Sequence, residues 1–416
     1  MSKIFSNSIF SILDQLLSLI SSLGLSIIFA RYLGAESLGQ YSLALSVTGL
    51  LAIFSNFGIN TIVNREVAKS TNKANIYISN SVFIKLFISA PVMLILTGGV
   101  LYTLSYGYNT SIIICLAALL SIFNNLMVSL TSSLTSLHRT DLVFKVNICY
   151  KISTFFIACV LIYLGFDLLL IIVGFILVSI FLCLYSFFQV KNVLPSLTLK
   201  YNLNFCKVLI ITSLPLIFAS AAEYISLKID TIFIGYFYDE HSVGIYSAAY
   251  NIFLGLTLIP LALTKVYFPN FVNLMSKDLN LAKALFKKYT LIYTVYASVS
   301  SLILFFFSGA LVEYIYGASF YDSKLVLKFL SFAIFVLVLN RLFNYTLLAM
   351  KYNKYYFYIT LIGMIFNVIL NLMSIPLYGI LAAVISTIIT EFIVMILGGS
   401  KLIIIFRQRN KILERT

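Results

Sequence analysis

Gly39-Gln40-Tyr41-Ser42-Leu43-Ala44 recurs 205 residues later as Gly244-Ile245-Tyr246-Ser247-Ala248-Ala249, and this recurrence decides the architecture. Each copy opens an apolar stretch after a short polar turn, and the spacing is close to half the chain, so the sequence reads as a duplication. Apolar stretches between polar breaks give twelve candidate helices, at 8 to 30, 40 to 62, 76 to 103, 111 to 136, 145 to 164, 167 to 189, 208 to 235, 244 to 267, 287 to 309, 323 to 349, 355 to 375 and 379 to 405. Six of them separate the two motif copies. Six is even, so both halves share one orientation, which predicts a parallel repeat about an axis along the membrane normal with a central cavity between two bundles. The expected fold is therefore an all-α polytopic membrane protein. Residues 1 to 190 form an N-terminal six-helix bundle, 191 to 207 a cytoplasmic linker, 208 to 405 a C-terminal six-helix bundle and 406 to 416 a basic cytoplasmic tail.

Composition agrees. Of 416 residues, 61% are apolar and 10% charged, and mean hydropathy is +1.03, which leaves almost no water-facing surface and no room for a soluble catalytic module. The excess of 28 Lys and Arg over 14 Asp and Glu marks no nucleic-acid fold. It is explained by placement. With the N-terminus inside, one side collects Lys3; Arg65, Lys69, Lys73; Arg139, Lys145; Lys191, Lys200, Lys207; Lys277, Lys283, Lys287, Lys288; Lys351, Lys354; and Lys401, Arg407, Arg409, Lys411, Arg415, against Arg31 and Lys324 on the other. This predicts both termini in the cytoplasm. The stretch 269 to 286 carries Phe271, Leu274, Met275, Leu281, Leu285 and Tyr289 opposite Lys277, Lys283 and Lys287, and reads as a helix lying in the interface. The five cysteines match neither a metal-ligand pattern nor a disulfide framework.

The segment Phe29-Ala30-Arg31-Tyr32-Leu33-Gly34-Ala35-Glu36-Ser37-Leu38-Gly39-Gln40-Tyr41-Ser42-Leu43-Ala44, with Arg65-Glu66-Val67-Ala68, resembles the polysaccharide repeat-unit (O-antigen) flippases of the multidrug/oligosaccharidyl-lipid/polysaccharide exporter superfamily. In the second half Asp230, Gly235, Val243 to Ala249, Pro260, Pro269, Tyr316-Gly317, Phe320 and Leu327 extend the resemblance over nearly the whole chain. It implies transport of an undecaprenyl-pyrophosphate-linked oligosaccharide across the bacterial inner membrane by alternating access, coupled to a proton or sodium gradient and needing no cofactor. Implied partners are that substrate, membrane lipids, and the polymerase and chain-length proteins of the same pathway, with no nucleic acid. A dedicated protein is needed for such cargo because each unsatisfied polar group costs several kcal/mol in hydrocarbon.

Ionisable residues within spans are the site candidates, since each costs roughly 2.5 to 3.5 kcal/mol at mid-bilayer. The seventh span carries Glu223, Lys228 and Asp230, costing about 8 to 10 kcal/mol, so it should face a solvated interior. Glu223 and Asp230 are seven apart and share a face; Lys228 lies about 200 degrees from Asp230 and either snorkels outward or contacts substrate. Glu223, nearer mid-membrane, is the expected coupling acid, with Asp230 as a helix-end contact and Glu391 as a third acid. Arg341 lies on a polar stripe with Asn340, Asn344 and Tyr345, and its guanidinium suits a pyrophosphate. Lys85, Lys151 and Lys265 are interfacial anchors or substrate contacts. Asn251 and Asn344 are expected sugar contacts, while Asn124, Asn125, Asn367 and Asn371 equally suit bonds between helices. Arg31 ends the first span, at a position that the resemblance places beside the lumen. Pro91 and Pro260 fall within spans and bend them.

Two other functions fit less well. A cation or drug antiporter of the same superfamily would use Glu223, Asp230 and Glu391. A multispan polymerase or ligase would need a sizeable outer loop, and His138 and His241 have no base partner in sequence.

Overall fold

The computed structural model describes residues 2–104 and 106–413, with side chains described outside 2–12, Gln15, Pro215, Leu216, Ala219 and 409–413. Lys3, Arg409, Lys411 and Arg415 of the basic count lie outside the described side chains. The described chain contains helices and no strand: α1 (Ser2–Asn56), α2 (Ile59–Lys69), α3 (Ala74–Ile84), α4 (Ala90–Leu104), α5 (Tyr108–Ser136), α6 (Thr140–Tyr163), α7 (Leu168–Val193), α8 (Leu203–Phe237), α9 (Glu240–Leu256), α10 (Leu258–Lys277), α11 (Leu279–Tyr316), α12 (Ser323–Ala349), α13 (Asn353–Tyr378) and α14 (Ile380–Leu413). Ten stretches among the described residues are long and apolar enough to cross a membrane. The first, Leu16–Asn56, is two expected spans joined, and α8, which holds the expected seventh, is not among the ten.

The turn expected between the first two spans is made by a single residue. α1 is two helices that meet at Gly34, where φ is 84° and ψ −179°, a conformation that glycine adopts without a Cβ penalty. In the second copy the turn takes two residues, Tyr238 and Asp239, and the Asp239 carboxylate caps α9 by accepting from the Ser242 amide at 2.8 Å. The expected interfacial helix over 269 to 286 is also absent. α10 continues through Pro269 to Lys277, and α11 starts at Leu279 from an Asp278 cap that accepts from the Asn280 and Leu281 amides. The apolar face of that stretch is thus divided between two long helices.

Contacts separate two units, Met1–Tyr224 and Ile225–Thr416, and the division falls inside α8. In the first unit α5 packs on α7, α1 and α2, around a core that includes Ile59, Ile78, Leu130, Leu134, Val146 and Val190. The connector after α7 is tied back to α3: Asn75 Oδ1 accepts from the Thr198 amide at 3.1 Å and Asn80 Oδ1 from the Asn202 amide at 2.7 Å. In the second unit α12 packs against α11, α14, α9 and α10, and Leu327, Leu330, Ala333, Ile334, Val338 and Leu342 are fully buried on it.

Candidate functional site

Asp230 lies on α8 seven residues before its end, and is 2% exposed. Three donors from three helices converge on its carboxylate. Asn371 Nδ2 of α13 donates to Oδ1 at 2.6 Å, while the Tyr246 hydroxyl of α9 and the Thr387 hydroxyl of α14 donate to Oδ2 at 2.7 and 2.8 Å. None of the salt bridges among the described residues includes it. Neutral donors supply these three hydrogen bonds to the buried carboxyl group, and the Lys228 ammonium acts on it electrostatically without forming a salt bridge. One turn from Asn371, the Asn367 Oδ1 is buried without a hydrogen-bond partner, as is Asn371 Oδ1 itself. Carboxylate, amide and hydroxyl oxygens are the ligands that a hard cation takes. The expectation of Asp230 as a helix-end contact is corrected by its burial and its three donors.

Glu391 lies one turn beyond Thr387 on α14, and its Oε2 accepts from Asn340 Nδ2 at 2.6 Å. The Asn340 Oδ1, Asn344 Oδ1 and Thr390 Oγ1 atoms nearby in sequence are buried without partners. The polar stripe on α12 thus divides: Asn340 binds Glu391, whereas Arg341 turns to the break between α9 and α10. That break follows from Pro260. Lacking an N–H, Pro260 leaves the Leu256 carbonyl one turn back without its helical donor, and the Tyr296 hydroxyl donates to it at 2.5 Å. Arg341 Nη1 donates to the adjacent Thr257 carbonyl at 3.3 Å.

In the first unit Lys85 is 3% exposed, at the start of a π-helical turn (Lys85–Ser89) just before Pro91. Its ammonium donates to Asn56 twice, at 2.5 Å to Oδ1 and 3.3 Å to the carbonyl, and it borders a cavity of about 10 Å³ lined by Ser55, Asn56, Ser89, Met93 and Asn125. No acidic side chain lines that cavity. An interfacial anchor would reach toward the headgroups, and Lys85 does not. Lys151 is paired: its ammonium meets Asp14 Oδ1 at 2.7 Å, while Asn147 donates to the other oxygen at 3.0 Å. Glu223 is exposed in the first unit although Asp230, seven residues on, is buried in the second. The two positions, about two turns apart on α8, thus differ in burial.

Lys228 does not snorkel; its ammonium sits 5.7 Å from the centre of the Tyr250 ring. Arg31 is exposed, and Lys265, Asn251 and Asn344 are half-buried. Sequence reasoning singles out Asp230, Lys85 and Lys151, but not Tyr246 and Thr387, Asn56 and Asp14 as their respective partners. Tyr246 was legible as the tyrosine of the recurring motif; Thr387 and Asn56 are ordinary polar residues that no spacing distinguishes.

Residues 4–275 match the family described as "Polysaccharide biosynthesis protein". No curated protein matches the chain in sequence. Among solved structures, the chain is similar to a multidrug resistance MATE family transporter of the MOP superfamily in an inward-facing conformation, with 15% identity, TM-score 0.76 and 96% of each chain covered. It is also similar to the lipid II flippase MurJ in an inward closed conformation, with 16% identity, TM-score 0.77, and 95% of this chain and 87% of that one covered. A MOP superfamily transporter from Pyrococcus furiosus, described as having a binding pocket of reverse polarity, matches with 14% identity, TM-score 0.63, and 96% and 95% covered. At these identities the likenesses show the fold.

Proposed function

Because the chain belongs to the polysaccharide biosynthesis protein family, we propose that it flips a lipid-linked oligosaccharide repeat unit, carried on undecaprenyl pyrophosphate, across the bacterial inner membrane by alternating access and in exchange for a cation. The observation that carries the coupling is Asp230, a buried carboxylate held by three neutral donors from three helices and engaged in no salt bridge among the described residues. A proton or sodium ion that binds there displaces at least one of these donors from a carboxylate oxygen, so its arrival is felt by the helices that supply them. Buried or half-buried cations in the spans, Lys85, Lys228 and Arg341, suit an anionic pyrophosphate. The structural likeness to a lipid II flippase points to cargo of lipid character.

The second reading is a cation or drug antiporter, favoured by the acids Asp230 and Glu391 and by the likeness to a multidrug transporter. One experiment separates them. In proteoliposomes with an imposed proton or sodium gradient, the protein should move an undecaprenyl-pyrophosphate-linked oligosaccharide to the opposite leaflet, read by a membrane-impermeant lectin. Gradient-driven ethidium movement without lectin accessibility would favour the antiporter and overturn the flippase.

A further inference from the structure

Asp230 and Lys228 are two residues apart on one helix and interact electrostatically, and a chain of contacts through α9 also joins them. The Tyr246 hydroxyl donates to Asp230 Oδ2 at 2.7 Å. The Tyr246 ring stacks on the Tyr250 ring, 5.5 Å between centroids and 18° between planes. Tyr250 in turn lies under the Lys228 ammonium at 5.7 Å, within the range at which a ring quadrupole attracts a cation. Tyr246 and Tyr250 are one helical turn apart, so α9 holds the two rings on the same face. Both are buried, at 1% and 5% exposure, and packed rings have no free space into which one can move without displacing the next.

We infer that Tyr246 and Tyr250 are positioning residues that link the occupancy of the Asp230 carboxylate to the placement of the Lys228 ammonium. A cation arriving at Asp230 takes up the oxygen to which Tyr246 donates. The hydroxyl then shifts, the stacked ring follows, and the ammonium two rings away loses or gains its seat. This rests on the ion-coupled reading of Asp230 and extends it to Lys228 as the residue through which coupling reaches an anionic cargo.

The internal repeat supports a functional origin for this arrangement. Ser22-Leu23, Ile28-Phe29 and Tyr32 recur 204 residues later as Ser226-Leu227, Ile232-Phe233 and Tyr236. In that register Gly24 and Ser26 stand where the second half has Lys228 and Asp230. The motif register places Leu45 at the position of Tyr250, while Tyr41 matches Tyr246. Tyr41 makes an edge contact with Phe29 at 4.9 Å instead of serving an acid. A helix pair of this kind therefore packs with glycine, serine and leucine at these positions, and packing alone does not call for the acid, the lysine or the second tyrosine.

The chain has no tryptophan, so Tyr250→Trp introduces a single indole between the two charges. In the full-length protein in nanodiscs, indole emission is read during sodium titration at constant ionic strength and during pH titration. It should respond to one of the two cations, and the response should vanish with Asp230→Asn and with Tyr246→Leu. Undecaprenyl pyrophosphate, as the probe, should shift the cation midpoint by about fivefold or more, and the cation should shift the probe midpoint by the same factor. Lys228→Gln should remove that reciprocal shift while leaving the emission response to the cation alone. Emission that responds to neither cation through Asp230 overturns the link, as does a reciprocal shift that survives Lys228→Gln or Tyr246→Leu. A cation response with no binding of the probe leaves the link from Asp230 to Tyr250 standing and removes the pyrophosphate-carrier reading.

Discussion

Arg341 reaches from α12 to the carbonyl of Thr257, 84 residues earlier, and so fastens the point at which Pro260 breaks the α9–α10 rod. The same guanidinium has donors left over after this single bond, and that combination makes it a candidate for a pyrophosphate oxygen. Replacing Arg341 by Ala is expected to abolish display of the surface glycan at unchanged protein level. Arg341→Lys should restore part of it, since the charge stays and the two-pronged donor is lost. The hydrogen bond to Thr257 contributes about 0.5 to 1.5 kcal/mol, too little to empty the membrane of protein. Display at wild-type level in the Ala variant would remove Arg341 from the site.

Asp230 and Glu223 give opposite expectations once their surroundings are compared. Asp230→Asn preserves shape but removes the charge that a cation needs, and puts an amide donor against Tyr246, Thr387 or Asn371. Gradient-stimulated transport in proteoliposomes should fall by about tenfold or more, with substrate binding retained. Glu223→Gln, at an exposed position, should have a smaller effect. Equal losses in the two variants, or a larger one at Glu223, would place the coupling acid there and leave Asp230 as a structural hydrogen-bonding group.

The helical architecture was legible because hydrocarbon imposes long apolar runs, and these show in a single sequence. The charged positions were legible for the converse reason: Lys85, Lys228, Asp230 and Arg341 each break such a run. Their partners were not. Asn56 meets Lys85 across 29 residues and Thr387 meets Asp230 across 157, and no local periodicity relates positions so far apart. Gly34 illustrates a further gap. The polar residues Arg31 and Glu36 mark a turn, but not that the single residue Gly34, at positive φ, suffices to make it between two helices.

Asp14 and Lys151 form an ion pair at 2.7 Å inside the first unit, with 28% and 16% of their side chains exposed. A double-mutant cycle of Asp14→Asn and Lys151→Met should show a coupling of about 0.5 to 3 kcal/mol in thermal stability measured in detergent. Each single variant should be less stable than the pair removed together, because one unpartnered charge costs more than none. Additive effects would mean that the pair contributes nothing beyond its packing.

Orientation follows from the distribution of basic residues between the ends of the helices. Cysteine reporters at Tyr108, Asp239 and Tyr378 should react with an impermeant maleimide added outside the cell, and reporters at Lys73, Lys200 and Lys277 should not. The background is the five free thiols, of which Cys183 and Cys206 are buried, so the scan is best run in a variant with Cys115, Cys149 and Cys159 replaced. Reversed labelling would invert the proposed direction of transport.

Lys85 separates a structural cation from a working one. Its ammonium is buried, bonded to the neutral Asn56 at 2.5 and 3.3 Å, and set at a π-helical turn, a feature often found where helices carry function. The adjoining cavity of about 10 Å³ has room for roughly one water, which the partnerless Ser89 hydroxyl and the third ammonium proton would share. If the lysine served only packing, Lys85→Met would keep the volume, drop the cost of burying an amine, and leave the protein at least as stable. The expectation is that Lys85→Met is expressed and melts at or above the wild-type temperature, yet loses glycan display. Asn56→Leu alone should destabilise by about 1 to 3 kcal/mol, because it leaves the amine without an acceptor, and combining it with Lys85→Met should recover most of that loss. Full glycan display by Lys85→Met would show that this buried amine has no part in transport and that the hydrogen bond to Asn56 serves the fold alone.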